Sequence, residues 1–168
     1  MRIGRLNFLV IFLLAFILFS NSCKNNIMQN FEDKVNPCLS KEDIADIYKE
    51  DVLKGTNWVE FKVNDKGFIF KIPDRYIFSQ NGNDIYNFNP NGKKYLKRIM
   101  EEYKSEIDRC YPDNTINVKG VDTNSEARGE TKAGNIAKFI KTYKVPEIHW
   151  YGKKEKENHI EIYIYFYK

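Results

Sequence analysis

The stretch from Gly67 to Tyr103 constrains the fold more than any other, because it joins a strand pattern to a helix pattern. The strand pattern is an alternation of apolar residues with other residues: Phe68, Phe70 and Ile72. Asn89 and Pro90 then predict a helix start, since asparagine caps an orphan amide and proline fits the first helical position. Apolar residues follow at three- and four-residue spacings, at Leu96, Ile99, Met100, Tyr103 and Ile107. We therefore expect a half-buried strand, a polar segment and an amphipathic helix in that order.

The amino terminus predicts an exported protein. Arg2 and Arg5 precede an unbroken run of twelve apolar residues, 8–19, which is too short for a membrane-spanning helix and typical of a signal peptide. The small residues directly before Cys23 resemble the lipobox of bacterial lipoproteins. This resemblance implies a signal peptide of residues 1–22 and fatty acylation (palmitate) of Cys23. Two alternatives remain open: an uncleaved amino-terminal anchor, or secretion with a free Cys23 thiol.

The rest of the chain divides into a tether, a helix and one domain. Residues 23–38 are polar and lack periodicity, so we interpret them as a tether. Residues 39–56 predict a helix, with Ser40 and Asp43 at nearly the capping-box spacing. Residues 57–168 carry strand and helix patterns in the order β-β-α-β-α-β-β. This order predicts an α/β fold, an α+β sandwich in which two helices cover one face of a mixed sheet, with the amino-terminal helix added.

The second helix of this domain is expected at residues 126–143. Gly129 and Gly134 fall in its first half, and a glycine costs a helix interior about 1 kcal/mol relative to alanine. We therefore expect its regular part to begin near Glu130.

Two cysteines remain after Cys23. Cys38 follows the tether, and Cys110 follows the helix that begins at Pro90. An exported protein meets an oxidising compartment, so a disulfide between them is one possibility. The other is a pair of reduced, partly buried thiols.

The chain resembles the OmpA-like domain, the periplasmic peptidoglycan-binding module of the OmpA tail, of peptidoglycan-associated lipoproteins and of flagellar MotB. The shared features are an apolar strand, the aliphatic-Phe pair Ile77-Phe78, a polar segment, and Pro90-Asn91-Gly92 before a helix with paired apolar positions. The resemblance covers residues 67–168. It implies a sheet with two helices in the order found above, and non-covalent binding of peptidoglycan stem peptides.

The same resemblance implies a ligand site. In the family, an acid at the end of the strand after the first helix and an arginine on the second helix bind the zwitterionic diamino acid of the stem peptide. Here Asp122 and Asn124 stand in the acid motif, although the family histidine is replaced by Val121 and the acid comes one residue early. Lys132 stands at the position of the family arginine, and Arg128 is the alternative if the motif is shifted by one residue. Asn158 and His159 match the motif before the last strand. The competing interpretation is that these residues are solvated surface charges.

Composition and motifs exclude several function classes. Without residues 1–22 the chain has 25 basic and 23 acidic residues, a net charge of +2, and no basic cluster that would favour nucleic acid. His149 and His159 fall on neighbouring strand patterns that a hairpin would bring together, but two ligands without a third do not make a zinc site. No phosphate loop or nucleophile motif is present, so we expect neither an enzyme nor a cofactor or metal.

The sequence thus predicts a non-catalytic outer-membrane lipoprotein that faces the periplasm and tethers the membrane to peptidoglycan. The alternative is an envelope lipoprotein that kept the fold, lost peptidoglycan binding and acts as a protein–protein interaction module. A row of tyrosines on the last strand would suit such an interface: Tyr163, Tyr165 and Tyr167.

Overall fold

A computed structural model of the chain describes residues 38–79 and 86–166. Several predictions concern residues outside these ranges and stay predictions. They are those for the signal peptide, Cys23, the tether up to residue 37, the polar segment 80–85 and Tyr167. Within the described ranges, no helix is both long and apolar enough to cross a membrane.

The centre of the domain is a five-stranded mixed sheet. Its strands are β1 (Glu60–Asn64), β2 (Gly67–Pro73), β3 (Asn114–Asp122), β4 (Ile148–Lys154) and β5 (His159–Phe166). They lie in the order β1-β2-β5-β3-β4, and only β3 and β4 are parallel. Because β5 pairs antiparallel with both β2 and β3, the carboxyl ends of those two strands flank the amino end of β5. This edge of the sheet forms the candidate site.

Four helices accompany the sheet in the described residues. Helix α1 (Lys41–Ile47) continues as a π-helical turn (Tyr48–Val52), and α2 is the single turn Asp74–Ile77. Helix α3 (Pro90–Glu102) also continues as a π-helical turn (Tyr103–Ile107) and ends with Asp108–Cys110. Helix α4 spans Glu126–Lys141. The predicted order β-β-α-β-α-β-β is therefore confirmed, with the short α2 added after β2.

The predicted helix starts follow from side-chain caps. The Ser40 hydroxyl accepts a hydrogen bond from the Asp43 amide, and the Asp43 carboxylate accepts one from the Ser40 amide, which completes the capping box. The Asn89 side chain accepts a hydrogen bond of 2.6 Å from the Gly92 amide, and Pro90 occupies the first helical position.

The core lies between the helices and one face of the sheet. Alternate residues of the central strands are fully buried there: Phe68, Phe70, Ile72, Ile116, Val118, Ile160, Ile162 and Ile164. Helix α1 belongs to the same core, because Tyr48 packs edge-on against Phe68 and Phe70 at centroid distances of 5.5 and 5.1 Å. The Tyr48 hydroxyl donates a hydrogen bond of 3.1 Å to the carbonyl of Ile99 in α3. The amino-terminal helix is thus an integral part of the packed unit.

A disulfide joins Cys38, just before α1, to Cys110 at the end of α3, with 5.4 Å between the Cα atoms. Beside it the Tyr111 hydroxyl donates to the carbonyl of Leu39 at 2.8 Å. These contacts fix the start of α1 to the carboxyl end of α3, as the oxidised alternative requires.

The expected weak start of the second helix is wrong, since α4 is regular from Glu126, with Ser125 as its N-cap. A β-carbon on Gly129 would come within 2.3 Å of the Gly120 carbonyl oxygen, and one on Gly120 within 1.9 Å of the Gly129 oxygen. Similarly, a β-carbon on Gly152 of β4 would lie 2.0 Å from the Glu126 oxygen. The glycines let the first turns of α4 lie directly on the backbones of β3 and β4.

The strands of His149 and His159 do not form the hairpin that would bring the two side chains together. Strand β4 pairs in parallel with β3, and β5 pairs with the other edge of β3. His149 therefore lies beside Asn117 and His159 beside Val121, with β3 between the two histidines.

Candidate functional site

Three chain segments meet at the edge where β2 and β3 end and β5 begins. Asp74 directly follows β2, Asp122 is the last residue of β3, and Asn158 directly precedes β5. The Asn158 side chain accepts a hydrogen bond of 2.8 Å from the Thr123 amide, and its carbonyl accepts one of 3.4 Å from the Asp74 amide. Asn158 therefore holds the two acid-bearing segments in register.

Helix α4 places two cations over this edge. It begins four residues after Asp122, and the close packing of Gly129 on Gly120 brings its first two turns onto β3. Arg128 and Lys132 are four residues apart, so they share one face of the helix. That face lies over Asp122.

Lys132 is buried between two carboxylates. Its Nζ lies 2.6 Å from Asp122 Oδ2, is in direct contact with Asp74 Oδ2, and donates to the Val121 carbonyl at 3.4 Å. The side chains of Lys132 and Asp122 are 5% and 1% exposed, whereas that of Asp74 is 16% exposed. An ammonium has three N–H donors, so these three acceptors account for all of them.

Arg128 is the exposed cation of the site. Its side chain is 44% exposed, its Nε donates to the Tyr86 hydroxyl at 3.0 Å, and the same nitrogen lies 3.8 Å from Asp122 Oδ2. Both known contacts thus involve Nε. A guanidinium also has two Nη groups, which form the fork that binds carboxylates with two hydrogen bonds.

Burial and charge act differently on the two acids. Burial by itself would raise the pKa of Asp122, but the hydrogen bonds from Lys132 and from the Asn124 amide (2.8 Å) outweigh it, and the pKa lies below the ordinary value. The pKa of Asp74 is raised, because burial outweighs the contact with Lys132. Its Oδ1 atom is buried and has no hydrogen-bond partner in the described part of the chain. Asp122 is therefore the firmly ionised member of the pair.

An open cavity of about 170 Å³ lies beside this cluster. Four residues of the sequence-predicted site line it: Asp122, Arg128, Lys132 and Asn158. Asn124 contributes through its backbone amide, which holds Asp122. The remaining lining residues come from α2, from the segment after it and from Tyr86: Asp74, Phe78, Ser79 and Tyr86.

His159 does not line the cavity. Its ring Nε2 lies 2.9 Å from Glu161 Oε1, and its Nδ1 lies 3.1 Å from the Glu157 carbonyl. Glu161 also pairs with Lys119 at 3.3 Å and accepts a hydrogen bond from Tyr163. These side chains occupy the helix-free face of the sheet. The hydrogen bond from His159, with those from Tyr163 and Lys119, lowers the pKa of Glu161 to about 2 although burial opposes it.

Sequence reasoning missed Asp74 and Tyr86. In the sequence, Pro73-Asp74 indicates only the end of the strand pattern that begins at Gly67. Knowledge of the strand order would have identified it, because the residue after β2 must lie near the last residue of β3 when β5 separates the two strands. Tyr86 follows the polar segment, where no periodicity indicates its position. Among the described residues, no cluster of three or more potential ligands could hold a metal ion.

No protein-family model and no curated relative matches the chain. Solved structures do match its fold. The cell wall anchor of the T6SS from Pseudomonas aeruginosa has a TM-score of 0.58 at 12% identity, over 77% of this chain and 100% of that one. The periplasmic domain of Helicobacter pylori MotB has a TM-score of 0.55 at 18% identity, over 68% of this chain and 83% of that one. A putative MotB-like protein from Desulfovibrio vulgaris gives 0.57 at 9% identity, over 76% and 96%.

These comparisons confirm the predicted OmpA-like fold of the chain.

Proposed function

We propose that this chain is a lipid-anchored cell-envelope protein whose OmpA-like domain binds peptidoglycan stem peptides without a covalent bond. The observation that carries the proposal is the convergence of Asp122, Lys132 and Arg128 at an open cavity on one edge of the sheet. The fold shared with a protein described as a cell wall anchor supports the same conclusion. The domain would thereby tether a membrane to the cell wall.

Arg128 is the residue that binds the ligand in this proposal. Stem peptides carry carboxylates, and an exposed guanidinium grips a carboxylate with two parallel hydrogen bonds. The Tyr86 hydroxyl holds Arg128 Nε, which orients the fork. The Asp122 carboxylate, 3.8 Å from the same nitrogen, adds a second restraint.

A pull-down on purified sacculi with the full chain in detergent tests the proposal. Wild type should be retained, Arg128→Ala should lose retention, and Arg128→Lys should be intermediate because lysine keeps the charge without the fork. Arg109→Ala is the matched control, since Arg109 is similarly exposed (37%) but pairs with Glu106 and does not line the cavity. No retention of wild type, or equal retention of Arg128→Ala and wild type, would count against the proposal.

The anchor part of the proposal rests on the sequence of the amino terminus. Cys23 would carry the lipid after removal of residues 1–22, and the protein would face the periplasm from the outer membrane. Mass spectrometry of the mature protein should find a fatty-acylated Cys23 as its first residue. Cys23→Ala should remove the lipid and release the protein into the soluble fraction. A mature chain that begins at Met1 with unmodified Cys23 would refute this part.

The alternative function as an interaction module would use the helix-free face of the sheet. There Tyr163 donates a hydrogen bond to Glu161 and stacks on Tyr165 at a centroid distance of 5.8 Å. Both tyrosines are half-buried and engaged within the protein. The geometry therefore favours the cavity over this face.

A further inference from the structure

We infer that Lys132 is a built-in ammonium that fills the cation position between Asp74 and Asp122, so that the site recognises a ligand carboxylate and requires no ligand amine. The inference rests on the proposed function and names the chemistry of its ligand. The ligand is a peptide that presents a carboxylate, and its amine can be free or blocked. It follows from the contacts, burial and charge of four side chains.

The contacts show that the cation position is already filled. Two carboxylates that face each other across one nitrogen form an ammonium-binding arrangement, and here the nitrogen is Lys132 Nζ. Asp122 Oδ2 binds it at 2.6 Å, and Asp122 Oδ1 accepts from the Asn124 amide at 2.8 Å. Both oxygens of Asp122 are therefore engaged within the protein.

Burial keeps a second ammonium out. The Asp122 side chain is 1% exposed and the Lys132 side chain 5% exposed, so a ligand amine does not reach Asp122 unless Lys132 moves away. Moving Lys132 would leave a charged group without its partners, which is strongly unfavourable for a buried pair. The ligand amine must therefore remain outside the acid pair.

The charges of the side chains around the cavity also disfavour the binding of a ligand amine. Lys132 and Arg128 together balance Asp74 and Asp122, so the cavity with Lys132 in place has no net negative charge to attract a cation. Without Lys132 the same walls carry two carboxylates against one guanidinium. Only then does the cavity favour an ammonium.

The group that remains for a ligand is Arg128. Its side chain is 44% exposed beside the cavity, and its known contacts involve Nε. A carboxylate is the planar anion that fits a guanidinium fork. Specificity of the wild-type site thus comes from the carboxylate of the ligand.

The first experiment compares two probes with the full chain in detergent, by calorimetry. Both are synthetic stem peptides that end in a diamino acid, one with the side-chain amine free and one with it acetylated. Wild type should bind the two with dissociation constants that agree within about twofold. Lys132→Ala should prefer the free amine by tenfold or more, because the vacated acid pair then binds it. A tenfold loss of wild-type affinity on acetylation would overturn the inference.

The second experiment does not depend on peptidoglycan. The melting temperature of Lys132→Ala should rise in ethylammonium chloride relative to sodium chloride at equal ionic strength, since the small cation replaces the lost ammonium. Lys132→Met fills the same volume and should show no such rise, and neither should wild type. Equal melting temperatures of Lys132→Ala in both salts would overturn the inference.

The two experiments separate the inference from the proposed function. If wild type binds neither probe, the proposed function fails, and the ethylammonium result alone decides whether the acid pair is an ammonium site. The wild-type comparison requires no variant, so a Lys132→Ala protein that does not fold leaves the inference testable.

Discussion

Replacing Gly129 by alanine should destabilise the protein, whereas the same replacement at Gly134, five residues later in α4, should stabilise it. A β-carbon on Gly129 would lie 2.3 Å from the Gly120 carbonyl oxygen. Real β-carbons essentially never come within 3.0 Å, so the helix would have to move away from β3 by about 0.7 Å. At Gly134 the nearest atom is Nε1 of the Trp150 side chain at 3.4 Å, which is an ordinary contact.

The expected magnitudes follow from two opposing terms. Alanine favours a helix interior by about 1 kcal/mol over glycine, and this gain applies equally at both positions. Overpacking costs about 1–3 kcal/mol. The β-carbon of an alanine at position 129 would clash with backbone atoms, which cannot move to another rotamer, so the cost of this substitution lies at the upper end of that range. Gly129→Ala should therefore lower the free energy of unfolding by about 2 kcal/mol. Gly134→Ala should raise it by about 0.5–1 kcal/mol.

Urea unfolding followed by circular dichroism measures both changes in stability. The dependence of the free energy of unfolding on urea concentration should have the same slope in both variants and wild type, which shows that the folded and unfolded states are unchanged. The displacement also affects the site, because Lys132 is three residues from Gly129 and must stay within hydrogen-bond distance of Asp122. Retention of Gly129→Ala on sacculi should fall, while that of Gly134→Ala should equal wild type. The reasoning would be refuted if Gly129→Ala were as stable as Gly134→Ala.

Three further predictions concern other parts of the fold. Reduction of the Cys38–Cys110 disulfide should lower the free energy of unfolding by about 2–4 kcal/mol, because the bond constrains residues 72 apart in the unfolded chain. Glu161→Gln should lower it by about 2 kcal/mol at pH 7, less than the full pKa shift implies because solvent screens the group. Since the folded pKa of Glu161 is about 2 against an ordinary 4.5, this contribution is present above pH 4.5 and is lost as the pH falls toward 2. Tyr48→Phe should cost about 1 kcal/mol, because it removes the buried hydrogen bond to the Ile99 carbonyl.

Each of these has its own control. The double variant Cys38→Ser/Cys110→Ser should have the stability of the reduced protein and should not respond to reductant. The difference in stability between Glu161→Gln and wild type, measured by urea titrations, should shrink as the pH falls from 7 to 3, and a constant difference would contradict the assignment. An unchanged urea midpoint in Tyr48→Phe would show that the Tyr48 hydroxyl contributes nothing to stability.

Features that depend on neighbouring residues could be predicted well from the sequence. The capping box at Ser40 and the Asn89-Pro90 helix start need only side chains and amides three residues apart, so local spacing contains all the necessary information. The alternation in β2 and β5 depends only on the two-residue period of a strand. The element order, and from it the fold, followed from these local patterns.

Features that depend on contact between distant segments could not be predicted. Gly129 has an unfavourable helix propensity, but propensity ignores the Gly120 carbonyl against which the helix packs. The two histidines appeared adjacent in sequence order, but β3 separates their strands. In the same way, the helix motif matched Lys132 to the ligand-binding arginine of the family but did not show which side chains contact Lys132.

The sequence by itself determined which segments are strands and helices, because period and spacing are local properties of the chain. The family resemblance added four of the residues that line the cavity: Asp122, Arg128, Lys132 and Asn158. Only the tertiary structure decided that β5 lies between β2 and β3, and this strand order places Asp74 beside Asp122. That juxtaposition buries Lys132 as an internal counter-ion and leaves Arg128 at the opening. The physical reason is that an ammonium binds whichever carboxylates the fold brings within reach, and strand pairing sets that distance.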